Sequence, residues 1–362
     1  VDTSRVVLDA PRADAPLSLA VDLSGRVSTP GGAADTPDSP TSLMVRAQLA
    51  RDPASATGIS TDPRSMTAEV QARGIPSASL RPFLTETGPV VIDPVRDIGP
   101  VVNLTASAKG GSDAPIEVNL STERVKADLS VVVDPASGSL RDGRGTVEVT
   151  AAPELLAPLG VRATAPVPAT ISITSLGLPR RDEQWQLNDA VIDASIAVKG
   201  AITPPAGDET TIGLSQIATT IKSAGLARGA TIAASAAVDG VMSRVDAELG
   251  GLAGIGGPKF DAASVSAKGT LAVGPIDWSR APAVLHAVSE QNRSLGLGLA
   301  QSTLGVGFDG SMKLGAAQIR LADGAQGVTS RVDWNAERVR VDQTTVNATL
   351  TDALLDGIGL KD

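Results

Sequence analysis

The 362-residue chain has no cysteine, no tyrosine, one histidine, three tryptophans and three phenylalanines. Each shortage excludes something. Without cysteine there are no disulfides and no thiol chemistry, although the compartment stays open, because envelope and cytosolic proteins can both lack it. With one imidazole and no thiolate, a zinc site would need several carboxylate partners, which rules it out in practice. Aromatics at 2% leave the apolar volume to Val, Ala, Leu and Ile, and this argues against a compact enzyme with an aromatic-shaped pocket. The net charge of −9 comes from 40 acidic and 31 basic residues spread along the chain. No basic face is concentrated enough for phosphate backbones, so nucleic acid is not an expected partner. No apolar run approaches the ~20 residues that a membrane-spanning helix needs. The chain opens at Val1 without a signal-peptide pattern and stops at Gly359-Leu360-Lys361-Asp362, so it reads as a mature region or an excised piece.

What the sequence does contain is alternation. Side chains of an extended strand point to opposite faces in turn, so a half-buried strand alternates apolar with polar residues. Leu17, Leu19, Val21 and Leu23 form one such set, and Met66, Ala68, Val70 and Ala72 another. Val102, Leu104, Ala106 and Ala108 follow. Between Ile116 and Asp134 the apolar phase switches from even positions (Val118, Leu120) to odd ones (Val125, Ala127, Leu129, Val131, Val133). The switch falls at Thr122-Glu123-Arg124, which reads as a tight turn or bulge between paired strands. Further sets occur at Ile192, Ala194, Ile196 and Val198, at Val265, Ala267, Gly269, Leu271 and Val273, and at Ala317, Ile319 and Leu321. Asp134-Pro135, Asp142-Gly143, Pro204-Pro205 and Asp323-Gly324 punctuate them as the turns of an antiparallel meander would.

The pattern predicts an all-β protein with a few short helices, at Ser77 to Thr85, Pro153 to Leu159, Leu214 to Ala224 and Trp278 to Ser294. Three strands are followed by a Pro-containing apolar piece: 66–70 by 80–84, 145–149 by 155–159, and 269–273 by 281–285. Their unequal spacing is not that of a strict solenoid, and low-complexity sequence aligning with itself explains the likeness equally well. The alternation pauses at Pro166 to Pro168 and at Thr203 to Asp208. We divide the chain into 1–165 and 166–362, the second half carrying the helix near 278–294.

Candidate chemistry is sparse. His286 has no Gly-x-Ser-x-Gly elbow to serve, and an ordinary helix-surface position accounts for it. Glu69, Glu148, Asp193 and Asp246 sit singly on the polar sides of strands, the expected solvated face, and not as a glycosidase pair. No Asp-x-Asp-x-Asp-Gly spacing supplies a calcium loop. The run Gly250 to Gly257 is followed by Pro258 and Lys259 and opens no helix for a pyrophosphate, so it reads as a turn. Sequons at Asn103, Asn119, Asn292 and Asn347 arise easily by chance in such sequence.

Aliphatic amphipathic strands nearly free of aromatics, with phrases such as Ile171-Ser172-Ile173-Thr174-Ser175-Leu176-Gly177-Leu178-Pro179 and Leu187-Asn188-Asp189-Ala190-Val191-Ile192-Asp193-Ala194-Ser195-Ile196, resemble the AsmA/TamB-like proteins of bacterial envelopes. The resemblance implies an elongated, twisted antiparallel sheet curled into a groove whose aliphatic lining shields or conducts lipid acyl chains between membranes. It implies a periplasmic or cell-envelope location, a membrane anchor outside this chain, phospholipid or another acyl-chain lipid as partner, and no catalyst or cofactor. The lining would be Val118, Leu120, Val125, Leu129, Val131, Val147, Val149, Ile192, Ile196, Val198, Val265, Leu271, Val273, Ile319 and Leu321. The alternative is a structural or adhesive module of two packed β-sandwiches, whose apolar faces seal against each other in a dry core.

Overall fold

A computed structural model describes residues 3–9, 16–25, 41–50, 66–83, 93–111, 114–134, 136–157, 161–182, 184–202, 213–255, 260–277, 301–323 and 326–349, with 352 and 355. The protein is all-β. Its contacts divide it into two units, one comprising 1–159 and 165–186, the other 160–164 and 187–362.

The first unit contains β1 (Thr3–Asp9), β2 (Leu17–Gly25), β3 (Thr41–Leu49), β4 (Met66–Pro76), β5 (Val101–Ala108), β6 (Ile116–Ser121), β7 (Val125–Val133), β8 (Leu140–Ala151) and β9 (Val167–Gly177). Every strand pairs antiparallel with the next, which makes a nine-strand meander. A two-residue hairpin, β10 (Arg180–Arg181) with β11 (Gln184–Trp185), follows. Arg180 is stapled to the loop before β8, its N–H donating to Ser139 Oγ at 2.9 Å, and its guanidinium stands 5.5 Å from the Trp185 ring.

The second unit repeats the plan with β12 (Val191–Val198), β13 (Leu214–Ser223), β14 (Ala230–Val238), β15 (Val241–Gly250), β16 (Ser266–Asp277), β17 (Gln301–Ser311), β18 (Leu314–Asp323), β19 (Gln326–Asn335) and β20 (Val339–Asn347). Here too each strand pairs antiparallel with its successor. Within neither unit do the described residues form a second sheet stacked on the first, so the sandwich alternative does not describe them.

Turn chemistry explains the tightest reversal. Thr122, between β6 and β7, accepts the N–H of Val125 at 2.8 Å and that of Arg124 at 3.2 Å on its hydroxyl, which closes the chain in three residues. The apolar phase changes at this turn, as the alternation predicted. Near it a short helix, α1 (Pro94–Ile98), closes the end of the first sheet. Asp93 caps α1 by accepting from the N–H groups of Val95 and Arg96 at 3.0 and 3.3 Å, and Pro94 supplies a first residue that needs no donor. Helix α1 ends at Gly99, whose φ of 104° suits glycine, and a Cβ there would run into Glu123.

Two expectations are corrected. Leu214 to Ala224 is not a helix but β13, because its registers with β12 and β14 use the period-two face of the segment and leave its helical face unused. Asp142-Gly143 is not a turn: both residues lie inside β8, where Gly143 is buried opposite Val131 and a Cβ would touch Leu176 at 3.4 Å. The small residue marks a close approach within the sheet. The Ser77–Phe83 segment is a 3-10 helix, and Pro153–Leu156 forms a single helical turn, α2. The proposed helix at 278–294, His286, and the third Pro-containing piece at 281–285 lie outside the described residues.

Candidate functional site

Register converts a property of single strands into a property of the sheet. In the first unit, Leu17, Leu19, Val21 and Leu23 of β2 stand opposite Leu49, Ala47, Val45 and Leu43 of β3, which stand opposite Met66, Ala68, Val70 and Ala72 of β4. The row continues through Leu104, Ala106 and Ala108 of β5 to Leu120, Val118 and Ile116 of β6. It runs on through Ala127, Leu129 and Val131 of β7, then Val147 and Val149 of β8, to Ile171 and Ala169 of β9. Val6 and Leu8 of β1 begin it, opposite Val21 and Leu19. One face of the nine-strand sheet is thus aliphatic from edge to edge. The other carries Arg46 opposite Glu69, Asn119 opposite Asp128 and Lys126 opposite Glu148.

The second unit has the same division. Ile192, Ala194, Ile196 and Val198 of β12 share a face with Ile217 and Ile221 of β13, Ile232 and Ala234 of β14, and Val245, Ala247 and Leu249 of β15. Beyond them come Leu271 and Val273 of β16, Val306 and Leu304 of β17, Ile319 and Leu321 of β18, and Val328 of β19. The anticipated lining residues therefore fall on one face within each unit. Val118, Leu120, Val125, Leu129, Val131, Val147 and Val149 do so in the first. Ile192, Ile196, Val198, Leu271, Val273, Ile319 and Leu321 do so in the second. Val265 precedes β16 and keeps the parity of Leu271, but it stands outside the paired strand.

Burial on this face is partial. Apart from Ile196, which is exposed, these residues are half-buried, shielded by strand neighbours and by no covering layer of described residues. Full burial of a large apolar side chain is local: Ile276 is 0% exposed and packs with the partly buried Val241, Val273, Leu304 and Leu321 at one end of the second sheet.

The polar face holds the shallow concavities. In the first unit a depression of about 400 Å³ is walled by Arg73, Asn103, Thr105, Lys126, Asp128 and Glu148. In the second, depressions of about 500 and 650 Å³ surround Thr270, Gly307 and Gln318, and one of about 440 Å³ lies on the other side of Thr270 beside Thr220, Lys222, Asp246 and Glu248. The two larger ones originate in the sequence: Gly305 and Gly307 of β17 stand on the polar face between Ala272 and Thr270 on one side and Arg320 and Gln318 on the other. Missing side chains leave notches there that alternation alone does not reveal. Several carboxylates of this face are tied to cations. Asp193 meets Lys222 at 3.1 Å, directly across the ladder, and Asp246 receives hydrogen bonds from Arg244 at 2.7 and 3.1 Å. Those bonds hold the Asp246 carboxyl below the usual carboxylate range, so at neutral pH it is a charge and not a proton donor.

Among the described residues no group of three or more His, Cys, Asp or Glu could hold a metal ion. The glycine-rich run after β15 is a turn through residue 255, closed by Ile255 N–H to Leu252 O at 3.2 Å and anchored by Gly254 N–H to Asn188 Oδ1 at 2.7 Å. Compared with known proteins, the chain matches no protein-family model, no curated protein and no solved structure.

Proposed function

We propose that the aliphatic face of each unit shields lipid acyl chains, and that the protein is a non-enzymatic component of a bacterial envelope. The observation that carries this reading is the unbroken row of Val, Leu, Ile and Ala side chains, half-buried under no second layer of described residues. A soluble monomer rarely leaves a contiguous apolar patch larger than about 300–600 Å² without a use for it. Hydrocarbon suits such a face because aliphatic side chains offer smooth, non-directional contact and ask for no hydrogen bond. The textural resemblance to AsmA/TamB-like proteins supports the same reading and adds a periplasmic setting, with an anchor outside this chain.

The test is lipid extraction and native mass spectrometry of the purified protein, with Leu129→Asp and Leu271→Asp as probes. Acyl lipid should co-purify with the parent chain and be depleted in both variants, while strand content by circular dichroism is kept. Absence of lipid from the parent would defeat the proposal, as would loss of fold in both variants, since that is the outcome of a dry core.

A further inference from the structure

Burial on the aliphatic face of the first unit is uneven along the strands. At the rim where β4, β6 and β8 end and β5 and β9 begin, Ala72, Val102 and Val167 are 8%, 7% and 4% exposed. Thr41 and Thr122, which continue the apolar parity of β3 and β6 there, are buried too. Their hydroxyls are spent on the carbonyls of Gly74 at 3.0 Å and Val125 at 3.1 Å, so they offer nothing polar to a ligand. At the opposite rim Leu17, Leu49, Met66, Ala108, Ile116 and Val131 are only half-buried.

The connection from β4 to β5 closes the first of these rims. Its 3-10 segment at Ser77–Phe83 and α1 pack on each other, and Ser77 and Pro94 are fully buried. It is pinned at entry and exit, where Ser77 N–H donates to Pro100 O at 2.9 Å and Arg124 N–H to Ile98 O at 3.3 Å. Its guanidinium groups are spent on its own carboxylates, Arg81 on Asp93 at 3.3 Å and Arg96 on Asp97 at 2.6 Å. The open rim differs: Lys109, exposed beside Ala108, meets no carboxylate among the described residues.

From Val102 to Ala108 the face is about 20 Å long at ~3.4 Å per residue, and from Leu104 it is about 14 Å. One leaflet of bilayer hydrocarbon is about 15 Å deep, half of a ~30 Å core. A single acyl chain laid along the strands therefore crosses the face once, from one rim to the other. Its methyl end carries no polar group and suits the dry rim, whereas a phosphate headgroup needs water and a cation, as beside Lys109. We propose that acyl chains lie parallel to the strands of the first unit, with their methyl ends at Ala72 and Val102 and their headgroups over the rim at Ala108 and Ile116. The placement rests on the acyl-chain reading of this face and gives it a direction: lipid enters and leaves the first unit past Lys109.

The test needs no substitution. The parent chain is loaded with either of two photoreactive phosphatidylglycerols, one carrying a diazirine on the terminal carbons of an acyl chain, the other carrying it next to the carboxyl. After irradiation, tandem mass spectrometry locates the adducts. The terminal probe should label Ala72, Val102 and Leu104 severalfold more than Ala108, Ile116 and Val131, and the carboxyl-proximal probe should invert that ratio. Equal ratios from the two probes would mean chains lying across the strands, and exchanged ratios would mean headgroups at the capped rim. Either result overturns the placement and leaves the acyl-chain reading standing. No adduct on the aliphatic face from either probe defeats that reading, and the placement with it.

Discussion

The indole of Trp334 lies flat against Gly315. The two residues face each other in the β18–β19 ladder, a Cβ on Gly315 would overlap the six-membered ring, and the indole N–H donates to Ser311 O at 2.8 Å. In a chain so poor in aromatics, this contact ties β19 to the start of β18 and to the β17–β18 turn. Gly315→Ala should therefore destabilise the second unit by ~1–3 kcal/mol through overpacking. Trp334→Phe, which keeps the ring but loses the donor, should cost about 1 kcal/mol. Urea denaturation followed by circular dichroism measures both, and equal stability of Gly315→Ala and the parent would contradict the packing.

Asp97 carries a pH dependence. It is 3% exposed. Burial pushes its carboxyl up, but the Arg96 guanidinium at 2.6 and 2.8 Å and the Asp93 N–H at 2.8 Å outweigh this, so its pKa lies below that of an ordinary aspartate. A carboxylate with a depressed folded-state pKa stabilises the fold above its unfolded pKa, and that stability is lost as pH falls through the folded value. The first unit should thus weaken below about pH 4. Asp97→Asn should cost ~1–3 kcal/mol at pH 7 and progressively less in acid. Urea melts of both proteins across pH 2 to 7 check this, and a pH-independent difference would assign the loss to packing instead.

Ile276 is fully buried and packs against the partly buried Val241, Val273, Leu304 and Leu321. Ile276→Ala removes its contacts with Val273 and Leu304 and should cost ~2–5 kcal/mol. Leu19→Ala, on the half-buried aliphatic face, should cost clearly less, because that side chain is only partly withdrawn from solvent. Comparable losses at the two positions would mean that the aliphatic face is covered after all.

Lys268 and Asp309 face each other across β16 and β17 at 3.6 Å, both well exposed. A double-mutant cycle with alanine should return no more than ~0.5–1 kcal/mol and should shrink in high salt. A larger, salt-insensitive coupling would show that the polar face is shielded by something bound there.

Much of this architecture could be read from residue order. The apolar and polar positions of β2, β4, β5, β7 and β12 are those that alternation marks, because period two is a local consequence of extended backbone. The 3-10 segment at Ser77–Phe83 and the turn at Thr122 were visible for the same reason, through short-range punctuation. Leu214 to Ala224 misled because Leu214, Ile217, Ala218 and Ile221 also fit a helical stripe. Only pairing with β12 and β14 decides between the two periods, and the bulge between Ser215 and Ala218 is what blurs the strand pattern. Gly143 misled likewise, since the same residue type permits a turn or a close approach, and only the neighbouring Leu176 shows which it is.

Sequence by itself determined that the strands are two-faced, aliphatic and nearly free of aromatics, since each of those properties belongs to single residues and their nearest neighbours. Tertiary structure decided that the separate apolar stripes join into one face in each unit and that glycines notch the opposite face of the second. Those depend on which strand lies beside which and in what register, and a shift of one residue would have turned every stripe to the wrong side.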